Sequence, residues 1–172
     1  QFRHGRAGMQ IHVALRQPPR WANPELGRVA IMHLVDSAES VALAVAEAEC
    51  GLLPARATIA LGQPAALDPG RVPPGKGQLW IQILDLPAVI KGDAAGTIPV
   101  PADGRWSAAV REAYADRIME RVCAQIPGLD ADIMARAVVS PADLEHINMN
   151  LVGGDPYGGA CTPDQMLVWR PM

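Results

Sequence analysis

The stretch LWIQIL, residues 79–84, carries the strongest fold signal in this chain. Its first, third and fifth residues are Leu or Ile, and they alternate with Trp80, Gln82 and a second Leu. This period of two residues predicts a β-strand. Both sets are largely apolar, so we expect this strand to lie at the centre of a sheet.

Four further segments have the composition of strands. Residues 9–15 alternate between apolar and polar side chains, which predicts a strand with one buried face. Residues 28–34 form a second candidate, which we expect to pair antiparallel with the first after an intervening loop. Residues 58–62 and 133–139 are short apolar runs of strand type.

Two helices of ordinary length separate these strands. Asp36 and Glu39 have the spacing of a capping box, which predicts a helix over residues 37–50. Gly51 is expected to end that helix, since glycine is the usual residue just beyond a helix C-terminus. Residues 107–125 have the clearest helical spacing of apolar side chains in the chain.

A long loop and a short helix complete the predicted order. Residues 87–104 are rich in Gly, Pro and Asp, which indicates a loop. Ser140 followed by Pro141 predicts the start of a short helix over residues 141–147. The order β-β-α-β-β-α-β-α predicts an α+β domain with a mixed, mostly antiparallel sheet and helices packed on one face.

Composition limits the classes of function. The chain has 172 residues and is 49% hydrophobic, enough for a single domain with a real core. A net charge of −3 gives no electrostatic reason to expect nucleic acid as a partner. No segment has the length of a transmembrane helix or the pattern of a signal peptide, so a cytoplasmic location is expected.

Metal-binding and nucleophile motifs are absent from the sequence. The three cysteines are widely spaced, without a C-x-x-C pair, and suggest neither a zinc site nor a disulfide. Cys50 and Cys123 are predicted to be buried and inert, which leaves Cys161 as the one thiol worth testing. His12 and His33 could meet across a hairpin, and an ordinary hydrogen-bonded pair explains them better than a metal site.

A glycine-rich loop spans residues 150–165 and contains four glycines, an Asp-Pro step and one tyrosine. So many glycines in a short segment indicate close approach of another group to the backbone, as around a flat ligand. Tyr157 fits either a ligand wall or an anchor for the loop. Asp155 fits either a ligand contact or the start of a turn.

This loop resembles the corresponding loop of phytoene dehydrogenase-like FAD-dependent oxidoreductases, which are relatives of carotenoid desaturases. The most specific part is residues 145–159, followed by Asp164-Gln165 and Trp169-Arg170-Pro171. Residues 61–76 are similar to the segment before a central strand in that family, and residues 140–144 to a helix start. The resemblance covers nearly the whole chain.

The resemblance implies that residues 1–172 are a single substrate-binding domain, a fragment without the Rossmann segments that bind FAD. In such enzymes hydride passes from an apolar or amphiphilic small molecule to the flavin. The implied partners are therefore a small-molecule substrate and the FAD domain of the same polypeptide, and the isolated fragment is expected to be inactive. A peripheral membrane contact and a homodimer stay open. The residues expected to line the face shared by flavin and substrate are Asn150, Gly153, Gly154, Asp155, Tyr157 and Gln165.

One departure from the family keeps a second hypothesis in view. Members of the family often carry a lysine near the first strand, whereas the matching stretch here has Gln10 and His12. The protein therefore either uses another residue or substrate, or it is a non-catalytic binding or dimerisation module of a flavoprotein relative.

Overall fold

Strand β5, Gly77–Leu86, lies at the centre of a five-stranded sheet in a computed structural model that describes residues 1–166. The strand order is β2-β4-β5-β1-β7, and all four pairings are antiparallel. The predicted central strand and the α+β class are thereby confirmed. The other strands of this sheet are β1 (Ala7–Leu15), β2 (Ile31–Leu34), β4 (Ile59–Gly62) and β7 (Ile133–Val139).

The core forms on one face of this sheet. Alternate side chains of β1 and β5, such as Ile11 and Ile81, are fully buried there. Helix α2, Ala108–Cys123, adds its apolar side to the same cluster. Tyr114 of this helix is buried, and its hydroxyl donates a hydrogen bond to the carbonyl oxygen of Pro54 at 3.1 Å.

The remaining helices begin close to where the sequence places them. Helix α1 spans Ala38–Glu49 and is capped by Ser37, with Ser40 completing the capping box one residue later than predicted. Helix α4 spans Pro141–Ile147 and begins at the predicted Ser140 cap. A short helix α3, Leu129–Asp132, precedes β7. No helix within residues 1–166 has the length and apolarity needed to cross a membrane.

The predicted pairing of the second strand with the first is wrong. Pro24–Arg28 forms a 3₁₀ turn, so the strand is shortened to β2, which pairs with β4 at the edge of the sheet. The segment between β1 and β2 contains three prolines, one of them at the start of this turn, and therefore does not form a tight hairpin. Two strands consequently separate His12 from His33, and the two imidazoles do not meet.

A buried ion pair fixes the long loop over residues 87–104. Asp93, in the two-residue strand β6 (Gly92–Asp93), pairs with Arg117 of α2 through two hydrogen bonds of 2.7 Å each. The backbone N–H groups of Thr97 and Ile98 also donate to this carboxylate, at 2.8 and 2.9 Å. Strand β6 pairs in parallel with β3, Leu52–Leu53. The loop is thus anchored to helix α2 through Asp93 and to strand β3 through β6.

This environment makes Asp93 an unusually strong acid. Burial, with the side chain 2% exposed, by itself raises the pKa of Asp93. The hydrogen bonds from Arg117, Ile98 and Thr97 outweigh that effect and lower the pKa from 3.8 to about 2. A folded-state pKa below the unfolded value means that the ionised carboxylate stabilises the fold.

We therefore expect Asp93→Asn to lower the free energy of unfolding at neutral pH by about 1–2 kcal/mol, allowing for partial screening by solvent. Because the pKa is depressed, the wild-type advantage is complete above about pH 4 and shrinks as the pH falls towards about 2. Urea denaturation of both proteins across this pH range measures the difference.

Asp103→Asn is the matched control, since Asp103 is exposed, lies 3.8 Å from the guanidinium of Arg105 and otherwise accepts one local hydrogen bond from the Arg105 N–H. It should change the free energy of unfolding by less than about 0.5 kcal/mol. Equal effects of the two substitutions, or a difference independent of pH, would show that the Asp93 pair does not fix the loop.

Candidate functional site

The second face of the sheet is open, because the main core forms on the other face. Register places one row of side chains across this face from edge to edge: Ile31, Gly62, Trp80, His12 and Ala137. Ile31 is 56% exposed and Trp80 is only half-buried. An exposed surface of aliphatic and aromatic side chains that no helix or loop covers is a candidate ligand site.

Two 3₁₀ turns lie beside this face and complete a cavity of about 760 Å³. The turns span Pro64–Ala66 and Pro69–Arg71 and follow directly after β4. They bring the side chains of Leu67 and Arg71 to the rim of the cavity. The strand residues that line it include Ala14, Gln78, Leu79 and Ala135, together with the row named above.

Gly62 determines where the Trp80 ring lies. A Cβ atom at residue 62 would come within 3.2 Å of Cε3 of the Trp80 indole. The missing side chain therefore lets the ring lie along β4. The flat ring becomes part of the cavity wall between β4 and β1, where it can contact a planar or hydrocarbon ligand.

The polar side chains that line the cavity are few, and the charged ones among them are paired within the chain. Nε2 of His12 lies 3.3 Å from Oε1 of Gln10, its neighbour on the same face of β1. At the rim, the guanidinium of Arg71 pairs with the carboxylate of Asp68 at 3.3 Å. Arg136 also lines the cavity, and its guanidinium pairs with Glu112 and Asp116 of α2. Among these residues, each carboxylate that lines the cavity is paired with a cationic side chain.

The glycine-rich loop is organised from within by Asp155. This carboxylate is 1% exposed and accepts hydrogen bonds from three backbone N–H groups. They belong to Gly5 at 2.7 Å, Tyr157 at 2.8 Å and Gly159 at 2.7 Å. Asp155, for which the sequence left a ligand contact open, thus joins the loop to the segment before β1.

The glycines of the loop differ in their exposure to solvent. Gly154 and Gly159 are buried, whereas Gly158 is exposed. Gly154 has a φ of +79°, and a Cβ there would lie 2.6 Å from Cα of Pro141. Close packing on the start of α4 therefore explains this glycine without a ligand.

Gln165 also serves as an anchor. Its Oε1 accepts from the N–H of Arg3 at 2.8 Å, and its Nε2 donates to the carbonyl oxygen of Gln1 at 3.2 Å. The N–H of Ala160 donates to the carbonyl oxygen of Arg3 at 2.9 Å. The first residues of the chain therefore run beside the glycine-rich loop.

The six predicted site residues divide into two groups. Asp155 and Gln165 are buried hydrogen-bonding anchors, and Gly153 and Gly154 form the turn that precedes them. Asn150 is exposed, and Tyr157 is 52% exposed. None of the six lines the cavity on the sheet. The matching motif at Trp169-Arg170-Pro171 lies outside the described residues.

Tyr157 borders a second, smaller cleft of about 400 Å³, between the loop and the end of β5. Burial and the nearby Asp85 carboxylate raise the pKa of its hydroxyl. Arg6, which also lines this cleft, pairs with Asp85 at 2.9 Å and with Glu49 at 2.7 Å. The charges of this cleft are thus largely paired within the chain.

Residues 1–166 give little support for metal binding or for a reactive cysteine. No group of three or more His, Cys, Asp or Glu side chains there has the geometry to hold a metal ion. The prediction that Cys50 is buried is wrong, because it caps the end of α1 and is exposed. Cys123 is partly buried, and burial raises the pKa of its thiol, as expected for an inert cysteine.

Trp80 and the rim residues are the part of the site that motif inspection missed. A signal was present, since Trp80 alternates with the buried residues of β5 and so had to face the opposite side of the sheet. The rim could not be located in this way. Its position depends on the turns after β4, which carry no recognisable motif.

Comparison with known proteins gives the chain a class. No family model matches it. It is 30% identical over 126 residues to the Pyridine nucleotide-disulfide oxidoreductase domain-containing protein 2 of Mus musculus, which covers 73% of this chain and 20% of the relative. The protein of the same name from Rattus norvegicus is 29% identical over the same length.

The chain is therefore similar to a segment of an oxidoreductase-domain protein and spans about a fifth of the length of these relatives. This similarity supports the oxidoreductase relationship that the glycine-rich loop suggested. It does not single out phytoene dehydrogenase.

The Asp155 contacts lead to a prediction about the loop. Asp155→Asn replaces one of the accepting oxygens by an NH₂ group that faces backbone donors. We expect a loss of about 1–3 kcal/mol in the free energy of unfolding. Hydrogen exchange should also become faster at the amides of Gly5, Tyr157 and Gly159.

Asp164→Asn serves as the control, because Asp164 forms only an exposed ion pair with Arg3 and a local contact with Thr162. Its effect on stability should stay below about 0.5 kcal/mol. Unchanged exchange at the three amides in Asp155→Asn would contradict the anchoring role.

Proposed function

We propose that this chain is the substrate-binding domain of an FAD-dependent oxidoreductase, which transfers hydride from an apolar or amphiphilic small molecule to the flavin. The observation that carries the proposal is the open sheet face with Trp80 at its centre. Similarity to part of an oxidoreductase-domain protein supports the same class. The class of substrate, the FAD cofactor and the hydride transfer are all parts of what we propose.

The residues of the open face have definite tasks in this function. Trp80 and Ile31 provide apolar contact area, and Leu67 closes the rim. A substrate lying on this surface displaces water from it, which is favourable for apolar groups. It also protects a reacting carbon from solvent. The rigid sheet behind the surface keeps the bound molecule in one orientation.

The described residues do not form a cradle for FAD itself. The sequence has no glycine fingerprint between a strand and a helix that would bind the diphosphate. In the glycine-rich loop, the N–H groups of Tyr157 and Gly159 already donate to Asp155 and are not available to a phosphate. We therefore assign FAD binding to other parts of a longer polypeptide.

The arrangement of the chain supports this division of labour. Arg3 pairs with Ala160 and Gln165, so the first and last described segments lie side by side. The backbone of the glycine-rich loop is thereby held in place beside the segment that precedes β1. The exposed side chains of Asn150 and Tyr157 lie on the same loop, which we place at the boundary with the FAD domain.

The class of enzyme is tested on the full-length polypeptide. Purified protein should show the visible absorption spectrum of oxidised flavin, either as isolated or after addition of FAD. A colourless protein that takes up no FAD would overturn the proposal. A protein that binds FAD but whose flavin no apolar substrate reduces would instead be a non-catalytic module.

The open face is tested on this chain with methylnaphthalene as an apolar probe. Trp80→Ala removes the largest contact surface of the cavity. We expect the dissociation constant, measured by calorimetry, to rise at least about fivefold, since an aromatic contact of this kind is worth more than 1 kcal/mol.

Leu43→Ala is the control for this measurement, because Leu43 is an exposed apolar residue on α1 and does not line the cavity. It should leave the dissociation constant unchanged. Equal binding to the wild-type and Trp80→Ala proteins would place the apolar site elsewhere.

A further inference from the structure

Besides the paired charged residues, the side chains of the cavity that can form hydrogen bonds include His12 and Gln78, both on the open face of the sheet. His12 lies directly opposite Trp80 in the antiparallel pair of β1 and β5. Gln78 lies one row further along the same face, opposite Ala14. The Gln78 amide has no hydrogen-bond partner among the side chains that the structure describes, so it is available to a ligand.

The charged groups that border the cavity are occupied with one another. Arg71 pairs with Asp68. Arg136 pairs with Glu112 and Asp116, at 2.9 and 2.6 Å. A carboxylate ligand would have to compete with these acidic partners for a guanidinium. An ammonium ligand would have to compete with arginine for a carboxylate. A charged ligand group would therefore lose hydration on a mainly apolar surface without gaining an unpaired partner of opposite charge among the lining residues.

His12 has the geometry to recognise an uncharged oxygen atom. Its Nε2 is within hydrogen-bond distance of Oε1 of Gln10, at 3.3 Å. When Nε2–H donates to that oxygen, the other ring nitrogen of the imidazole is an acceptor and remains open to a ligand. Gln10 does not line the cavity itself. Its contact instead orients the imidazole from the neighbouring row of the same strand face.

We infer that the ligand of this cavity is a neutral, mainly apolar molecule that carries a hydroxyl group, and that this hydroxyl donates a hydrogen bond to His12 while Trp80 contacts the apolar part. The inference rests on the proposed function for the site and narrows its substrate class. His12 acts here as a specificity-determining residue. Carboxylates and amines of the same shape are poor ligands.

Four probes with one ring system test this inference: methylnaphthalene, naphthalenemethanol, naphthoate and naphthylmethylammonium. Calorimetric titrations of this chain are run at about pH 8, where an ordinary imidazole is uncharged. We expect naphthalenemethanol to bind roughly fivefold more tightly than methylnaphthalene, the gain of one net hydrogen bond. Both charged probes should bind more weakly than methylnaphthalene.

His12→Phe removes the hydrogen bond and keeps an aromatic ring. In this variant the preference for naphthalenemethanol over methylnaphthalene should disappear, while methylnaphthalene still binds. His33→Phe is the matched control, because His33 lies on the same face of the sheet but does not line the cavity. It should keep the wild-type preference. A thermal melt confirms that each variant is folded.

The outcomes separate the inference from the function on which it rests. Methylnaphthalene binding without any preference for the alcohol, or a preference that survives His12→Phe, overturns the inference alone. Tighter binding of naphthoate or of the ammonium probe also overturns it. Failure of all four probes to bind the wild-type chain overturns the sheet cavity as a substrate site, and the inference with it.

Discussion

The antiparallel pairing of β1 with β5 in a single register is the constraint on which the rest of the structure depends. It sets Ile11 opposite Ile81 and His12 opposite Trp80. Because side chains alternate between the faces of a sheet, the first pair enters the core and the second pair lies on the open face. A shift of one residue in either strand would place an imidazole or an indole against α2. Core and candidate site are therefore fixed by the same hydrogen-bonded ladder.

Two buried carboxylates then hold the segments that the sheet itself does not order. Asp93 accepts a guanidinium and two backbone amides, so its charge is both paired and hydrogen-bonded. Asp155 accepts three backbone amides. A buried charge is tolerated only when such partners surround it. In both places a polar side chain in a glycine-rich segment shapes the backbone, and no ligand is needed to explain it.

The candidate ligand site therefore lies on the sheet and not in the glycine-rich loop. The glycine-rich loop carries the sequence similarity to flavin-dependent enzymes, and its buried residues join the two ends of the described chain. The cavity around Trp80 has a lining that can bind an apolar molecule, with His12 and Gln78 as its neutral polar groups. On these grounds we propose a domain that binds substrate and relies on another part of a longer polypeptide for the cofactor.

The sequence by itself determined the strand and helix segments, the central position of β5 and the α+β class, because local periodicity and helix caps are short-range properties. It also indicated that Trp80 faces away from the buried residues of β5, because neighbouring residues of a strand point to opposite faces. It could not show that β2 pairs with β4, or that Asp155 faces inward, because Gly5 and Asp155 are far apart in the chain and meet only after folding. The cavity, too, was decided by the tertiary structure alone, since its wall and rim come from five strands and two turns whose proximity no local pattern records.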